Sequence, residues 1–200
     1  MKPIELATAE ALVAAAVRAP SSHNTQPWWF RCVGETIELY ADRTRALPVN
    51  DPFDRELTIS CGAALFNLCV AAEAVTFTPE VHLLPGGGAD LLASVTCRPA
   101  ASASTAELAD AIASRRTHRD AFSTHPVPSD LAGRLEAVAP EHGVTLAWVP
   151  AGPKREGLAE LVARGSRAQF DDPSWRRELA SWMHPRRRGD GLVGRRSPGR

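Results

Sequence analysis

The stretch from Ile59 to Ala74 constrains the fold more than any other part of the 200-residue chain. Apolar residues fall almost all round a helix drawn through this stretch, which predicts a central buried helix rather than a surface one. Its small residues, Gly62, Ala63, Ala64, Ala71 and Ala72, let another backbone approach closely. The charge-free run Leu57–Ala72 is shorter than the ~20 residues that span a bilayer. We therefore expect a soluble protein with this helix at its centre.

The rest of the chain predicts helices interleaved with hairpins and short strands. Thr8 is expected to cap a helix that runs to Arg18, and Pro20 ends it. This order of elements predicts an α+β fold with a mostly antiparallel sheet flanked by helices. The strands are expected at Trp28–Val33, Thr36–Tyr40, Phe77–Leu84, Leu91–Cys97 and Val144–Val149, and the later helices at Ala106–Arg116, Pro128–Ala139, Lys154–Phe170 and from Asp172, with an irregular connection at Asp42–Arg55.

The charge distribution argues against nucleic acid as a partner. The formal net charge is zero, but the segment His184–Arg200 holds six arginines and one acid. The body of the chain is therefore mildly acidic, whereas phosphate backbones require clustered cations on a folded face. The four cysteines form no Cys-x-x-Cys pair and the six histidines show no metal-ligand spacing, so we expect no metal site and a reduced, cytoplasmic protein.

A first candidate site lies between the first helix and the first strand, from Ala19 to Trp28. Two prolines stiffen this uncharged stretch, and its side chains offer donors and acceptors to a planar polar heterocycle or a polyol. The alternative is a capped helix end that leads into a strand. No nucleophile elbow with flanking glycines surrounds the serines, so a hydrolase is disfavoured. The candidate residues are Ser21, Ser22, His23, Asn24, Gln26 and, adding a flat apolar surface, Trp28.

A second candidate site is cationic. Three guanidiniums and a hydroxyl fall within five residues at the end of a predicted helix: Arg115, Arg116, Thr117 and Arg119. Guanidinium binds phosphate through paired, charge-assisted hydrogen bonds, so the cluster fits a phosphate dianion. The alternative is a solvated basic helix terminus that complements the helix dipole.

The chain resembles the Acg-type nitroreductase-like flavoproteins in three segments, which occur in the order Arg18–Trp28, Glu56–Leu65 and Arg115–Phe122. The first is similar to the Pro-Ser-x-x-Asn-x-Gln-Pro-Trp signature that lines the flavin in the wider nitroreductase family, and the third to its Arg-Arg-Ser-x-Arg phosphate motif. Ordinary nitroreductases carry the arginine motif first. The reversed order is that of the Acg branch, in which one chain contains two nitroreductase-like halves.

This resemblance implies an FMN site with no catalytic side chain of its own. The first motif would face the isoalloxazine ring or the ribityl chain, and the arginine cluster would hold the phosphate. It implies an oxidoreductase that transfers a hydride from NADH or NADPH to the flavin and passes electrons to a small acceptor. The alternatives are a flavin-sequestering protein without turnover and a non-functional truncated fragment.

The chain departs from the resemblance at its C-terminus. We interpret residues 1–110 as a first nitroreductase-like half, residues 111–185 as the start of a truncated second half, and residues 186–200 as a disordered Arg/Gly tail. Truncation would leave buried faces without their cover. Self-association through that exposed half-interface is then expected, with neither nucleic acid nor membrane as a partner.

Overall fold

A computed structural model describes residues 4–184 and 189–193. The described residues form two compact units. The first contains the chain up to Thr117 together with the residues from Pro173 onward, and the second runs from His118 to Asp172. The proposed division into two nitroreductase-like halves stays a prediction. Of the predicted disordered tail, the structure describes residues 189–193, and disorder is wrong for these because Leu192–Val193 pair with Met183–His184; the rest of the tail lies outside the described residues.

The first unit is built on a four-stranded antiparallel sheet in the order β1-β2-β4-β3. Alternate side chains of β2 are buried, as the pleat of a sheet covered on one face requires. Pro79 lies on the edge strand β3. Its missing N–H therefore removes no hydrogen bond between neighbouring strands. The α+β fold is therefore confirmed. The strands are β1 (Trp28–Val33), β2 (Thr36–Ala41), β3 (Phe77–Leu83) and β4 (Leu91–Pro99).

The six described helices are α1 (Leu6–Ala16), α2 (Arg55–Ala74), α3 (Ala106–Ser114), α4 (Ser129–Glu141), α5 (Pro153–Asp171) and α6 (Pro173–Ser181). The predicted cap at Thr8 is wrong, because α1 begins two residues earlier and has no side-chain cap. Helix α2 begins four residues before the predicted start. The buried Asp51 carboxylate accepts from the Leu57 N–H at 2.9 Å and so satisfies an N–H of its first turn.

The predicted strand Val144–Val149 is also wrong. The structure gives this segment no regular structure and leaves it exposed. The other described residues of the second unit form helices, turns and irregular segments, so no neighbouring strand offers the hydrogen bonds that a strand needs.

Helix α2 packs against α1 and against the sheet. Leu68 is fully buried among Leu12, Ile37 and Val95. Burial all round the helix, however, is not observed, because Ile59 and Phe66 are 55% and 46% exposed. The composition and length of α2 would also allow it to cross a membrane, a property that core helices share. Its buried face instead forms the core of the first unit.

The second unit leaves many apolar side chains uncovered. Among its described residues, Ala139 is the one buried hydrophobic side chain. Exposed apolar residues on α4 and α5 include Leu131, Leu135, Val138, Leu158, Leu161 and Val162. These helices therefore present unpaired amphipathic faces, and self-association through them stays a prediction.

Candidate functional site

The polar motif forms a strained turn between α1 and β1. His23, Asn24 and Gln26 have φ angles of 48°, 55° and 51°, in the left-handed region that non-glycine residues seldom adopt. Hydroxyl groups hold this backbone in place: Ser21 Oγ accepts from the Gln26 N–H at 2.9 Å, and Ser60 Oγ on α2 accepts from the Ser22 N–H at 3.3 Å. Such strain is concentrated at binding and catalytic sites.

Two side-chain amides of this turn point at the C-terminal segment. Asn24 Nδ2 donates to the Gly191 carbonyl at 3.1 Å, and Gln26 Nε2 donates to the Gly189 carbonyl at 2.6 Å. The Gly191 N–H donates in return to the Asn24 carbonyl at 3.0 Å. The motif is therefore more than a capped helix end, because its amides bind carbonyl oxygens more than 160 residues away.

His23 points inward from the same turn. Its Nδ1 atom is buried and has no hydrogen-bond partner among the described residues. The ring meets Trp175 of α6 edge-on, with centroids 6.4 Å apart. Burial lowers the pKa of His23, and the nearby Glu178 carboxylate only partly offsets this effect. The imidazole is therefore neutral near pH 7, and its buried Nδ1 stays without a hydrogen-bond partner among the described residues.

The arginine cluster contacts the residue that precedes the polar motif. Arg115 Nη2 donates to the Arg18 carbonyl at 2.9 Å, and Arg18 Nη2 donates to the Ala113 carbonyl at 2.7 Å. Arg115 also donates to Thr117 Oγ1 at 3.2 Å. These reciprocal bonds join the end of α3 to the end of α1. They bring the two predicted motifs to one region of the first unit.

The remaining members of the cluster are more dispersed. Arg116 is exposed and donates to the carbonyls of Ala113 and Arg115 at 2.9 and 2.7 Å. Arg119 is exposed as well and belongs to the second unit. The structure thus links the cluster to the residue before the polar motif through Arg115, to which Thr117 is bonded in turn.

A cavity of about 520 Å³ opens beside the motif. Its lining includes Gln26, Trp28, Phe30, Arg45 and Asp190. Trp28 is only 7% exposed, so it serves both as part of the core and as an apolar wall. Ring surface and polar groups therefore face one space, as in most small-molecule sites.

Sequence patterns missed the three charged residues of this cavity, Asp42, Arg45 and Asp190. The Arg45 guanidinium donates to the Thr25 carbonyl and to the Asp190 carboxylate, and it lies over the Trp182 ring, 5.4 Å from the centroid. This hydrogen-bonded cation holds the pKa of Asp190 below its usual range. One signal was available in the sequence, because Asp190 is the single acid in the basic segment His184–Arg200.

No protein-family model matches the chain. Two proteins of Mycobacterium tuberculosis (strain ATCC 25618 / H37Rv) are similar to it in sequence. "Putative NAD(P)H nitroreductase Rv3131" is 34% identical over 177 residues, which cover 88% of this chain, and "Putative NAD(P)H nitroreductase acg" is 32% identical over 170 residues, which cover 84%. The chain is a homologue of the Acg-type nitroreductase-like proteins.

The chain spans about half the length of these Acg-type relatives, since each match covers 51% of the longer protein. A nitroreductase family protein from Streptococcus pneumoniae resembles the chain in structure, with a TM-score of 0.41 and 15% identity over 65% of this chain and 89% of the other. Structural similarity at this level supports no conclusion by itself. The homology therefore rests on the sequence matches.

Proposed function

We infer that this homologue binds FMN and acts as an NAD(P)H-dependent oxidoreductase of the nitroreductase type. The single observation that carries the proposal is the hydrogen bond from Arg115 to the Arg18 carbonyl. It joins the cationic motif to the polar motif within one unit. FMN needs such an arrangement, because a dianionic phosphate and a hydrogen-bonding ring lie at opposite ends of the molecule.

The side chains of the polar motif fit the ring and ribityl end of that ligand. Asn24 and Gln26 already donate to carbonyl oxygens, the kind of acceptor that the edge of an isoalloxazine ring presents. His23 keeps a buried ring nitrogen without a partner among the described residues, which a ligand hydroxyl or N–H group would satisfy. Trp28 adds an apolar wall to the cavity.

The arginine cluster fits the phosphate end. Arg115 and Arg116 are exposed, and their hydrogen bonds to the described residues engage only some of the five donors that each guanidinium carries. Thr117 offers a hydroxyl next to them. Arg119 is proposed as a further phosphate ligand on the strength of the sequence motif alone.

When bound, FMN would supply the two-electron chemistry that takes a hydride from NAD(P)H and passes electrons to a small acceptor. The protein's own side chains would bind and orient the flavin, and no side chain of this chain is proposed as a proton donor or nucleophile. A neutral His23 would donate or accept a hydrogen bond without adding charge. A cytoplasmic location is part of the same proposal.

Fluorescence titration with FMN and with riboflavin tests the phosphate end. In Arg116→Gln we expect FMN affinity to fall about tenfold, because one charge-assisted contact to phosphate is lost, while riboflavin affinity stays unchanged. Arg55→Gln is the matched control, since Arg55 is an exposed arginine of α2 whose side chain is 79% accessible. Equal affinity of Arg116→Gln and the unaltered chain for FMN would remove the arginine cluster from the proposal.

A flavin-binding protein without turnover is the second candidate. It is favoured by the contacts of Gly189 and Gly191 with the amides of the polar motif, because donors that the chain itself already engages suit a flavin that is held and released rather than turned over. Anaerobic addition of NADH or NADPH to the flavin-loaded protein separates the two candidates. Bleaching of the flavin absorbance supports the enzyme, and a stable spectrum supports the second candidate.

A further inference from the structure

Residues Gly189–Leu192, which we name the C-terminal strap, are bound across the polar motif. The Gly189 and Gly191 carbonyls accept hydrogen bonds from the side-chain amides of Gln26 and Asn24. The Gly191 N–H donates to the Asn24 carbonyl. The Leu192 N–H donates to the Trp182 carbonyl at 2.7 Å. Residues Leu192–Val193 (β6) also pair in parallel with Met183–His184 (β5). Backbone bonds therefore hold the strap on both sides.

Gly191 is the residue that allows this close fit. Its φ is +71°, and an added Cβ would lie 2.5 Å from the His184 ring and 2.6 Å from the Trp182 carbonyl oxygen. Neither group can yield cheaply, because one belongs to the backbone and the other is a ring. Gly189, by contrast, has open space where a Cβ would be added. The strap therefore requires glycine at one of the two positions only.

The strap is also held by charge. Asp190 pairs with Arg45, and His184 Nε2 lies 3.7 Å from the same carboxylate. Arg45 is fixed in turn by the Thr25 carbonyl, which belongs to the strained turn. The ion pair thus links the strap to the motif through a partly buried cation.

We propose that the C-terminal strap is an intramolecular competitor of the flavin, so that the ring binds only when the strap has left the polar motif. The inference rests on the proposed function. A ring edge that accepts from Asn24 and Gln26 must lie where the carbonyls of Gly191 and Gly189 now lie. The strap also borders the cavity through Gly189 and Asp190, so its departure would enlarge the space that a ring needs.

Competition of this kind has a measurable consequence. The apparent dissociation constant equals the intrinsic one divided by the fraction of molecules whose strap is released. Variants that release the strap should therefore bind flavin more tightly, although they add no contact to it. Loss of binding-site residues would produce the opposite change.

The test uses the full chain and three variants: Gly191→Ala and Asp190→Asn, which release the strap by steric clash and by loss of the ion pair, and Gly189→Ala as the matched control. Hydrogen exchange reports whether the strap is bound, and an FMN titration reports affinity. We expect the amides of Gly191 and Leu192 to be protected in the unaltered chain and in Gly189→Ala. Both releasing variants should lose this protection and bind FMN about tenfold more tightly.

Saturating FMN should also remove the protection of the strap in the unaltered chain. If FMN binds and the protection persists, or if both releasing variants bind FMN no more tightly than the control, the strap does not compete and the proposal is overturned, while the proposed function stands. If neither the unaltered chain nor any of the variants binds FMN, the proposed function fails and the competition fails with it. Hydrogen exchange of the strap amides, measured without FMN, shows independently whether each releasing variant has lost the strap contacts.

Discussion

Arg18 and Arg115 hold each other in place at the junction of α1 and α3. The Arg115 guanidinium donates to the Arg18 carbonyl at 2.9 Å, while the Arg18 guanidinium donates to the Ala113 carbonyl at 2.7 Å. Each arginine thus uses its side chain to bind the backbone of the other's segment. We expect the position of the arginine cluster to depend on this pair.

Arg18→Ala removes one side of the junction. We expect the loss of exposed side-chain hydrogen bonds to lower the free energy of unfolding by only about 1 kcal/mol. FMN affinity should fall further than the small stability change explains, because α3 loses its fixed position relative to the polar motif. Thermal unfolding and FMN titration, both compared with Arg55→Ala, check this. An unchanged FMN affinity would mean that the junction does not position the cluster.

Burial of His23 predicts a pH dependence of stability. The folded state holds the pKa of His23 below the usual histidine value of about 6.5, so the unfolded state binds the proton more readily. The stabilising contribution is therefore complete above pH 6.5 and is lost as the pH falls through the lower, folded-state pKa. Melting temperatures measured from pH 7.5 down to pH 5 should fall more steeply for the unaltered chain than for His23→Asn.

Asparagine is chosen at this position because it tolerates the left-handed φ of 48°. His125→Asn, which changes an exposed histidine, serves as the control and should keep the steep profile. Parallel profiles for His23→Asn and the unaltered chain would show that His23 titrates as it does in the unfolded state.

The cysteines should differ in reactivity. Burial raises the pKa of Cys61 to about 12 and that of Cys69 to about 11, and Cys61 Sγ donates to the Pro27 carbonyl at 3.2 Å. Cys32 is exposed. Because the thiolate is the reactive form, a thiol reagent at pH 8 should label Cys32 first in the native protein. Cys32→Ser should abolish the fast phase, and a persistent fast phase would place another thiol at the surface.

Truncating a side chain should cost much more stability on the buried face of α2 than on its exposed face. Leu68 is fully buried, whereas Ile59 is 55% exposed. Leu68→Ala should lower the free energy of unfolding by about 3 kcal/mol, because it removes buried methyl groups and leaves a cavity. Ile59→Ala should cost less than about 1 kcal/mol. Urea unfolding measures both, and a large cost at Ile59 would show that another surface covers this face.

Local sequence patterns predict the regular elements of the first unit well. The β-branched and aromatic runs on either side of Gly34 specify the first hairpin, and the apolar run of α2 specifies its central helix. Boundaries are less predictable, because α2 begins where Asp51 satisfies its first turn from outside the helix. The strand expected at Val144–Val149 fails because strand formation depends on a partner that local sequence does not reveal.

Composition and motif also predict the polar turn and the arginine cluster, since uncharged donors and guanidiniums are visible in the sequence. The strain of the turn is not predictable, because positive φ at His23, Asn24 and Gln26 depends on hydroxyl groups that hold the backbone. Nor is the strap. Its contacts join positions more than 160 residues apart, and a tail rich in arginine and glycine gives no local sign of them.

The central claim is that this chain binds FMN through a phosphate-side and a ring-side motif. Calorimetric titration of the unaltered chain with FMN and with riboflavin tests it most directly. The account predicts one FMN bound per chain and riboflavin bound at least about tenfold more weakly, because only FMN offers a phosphate to the arginines. No heat of binding with FMN, or equal affinity for the two flavins, would contradict it.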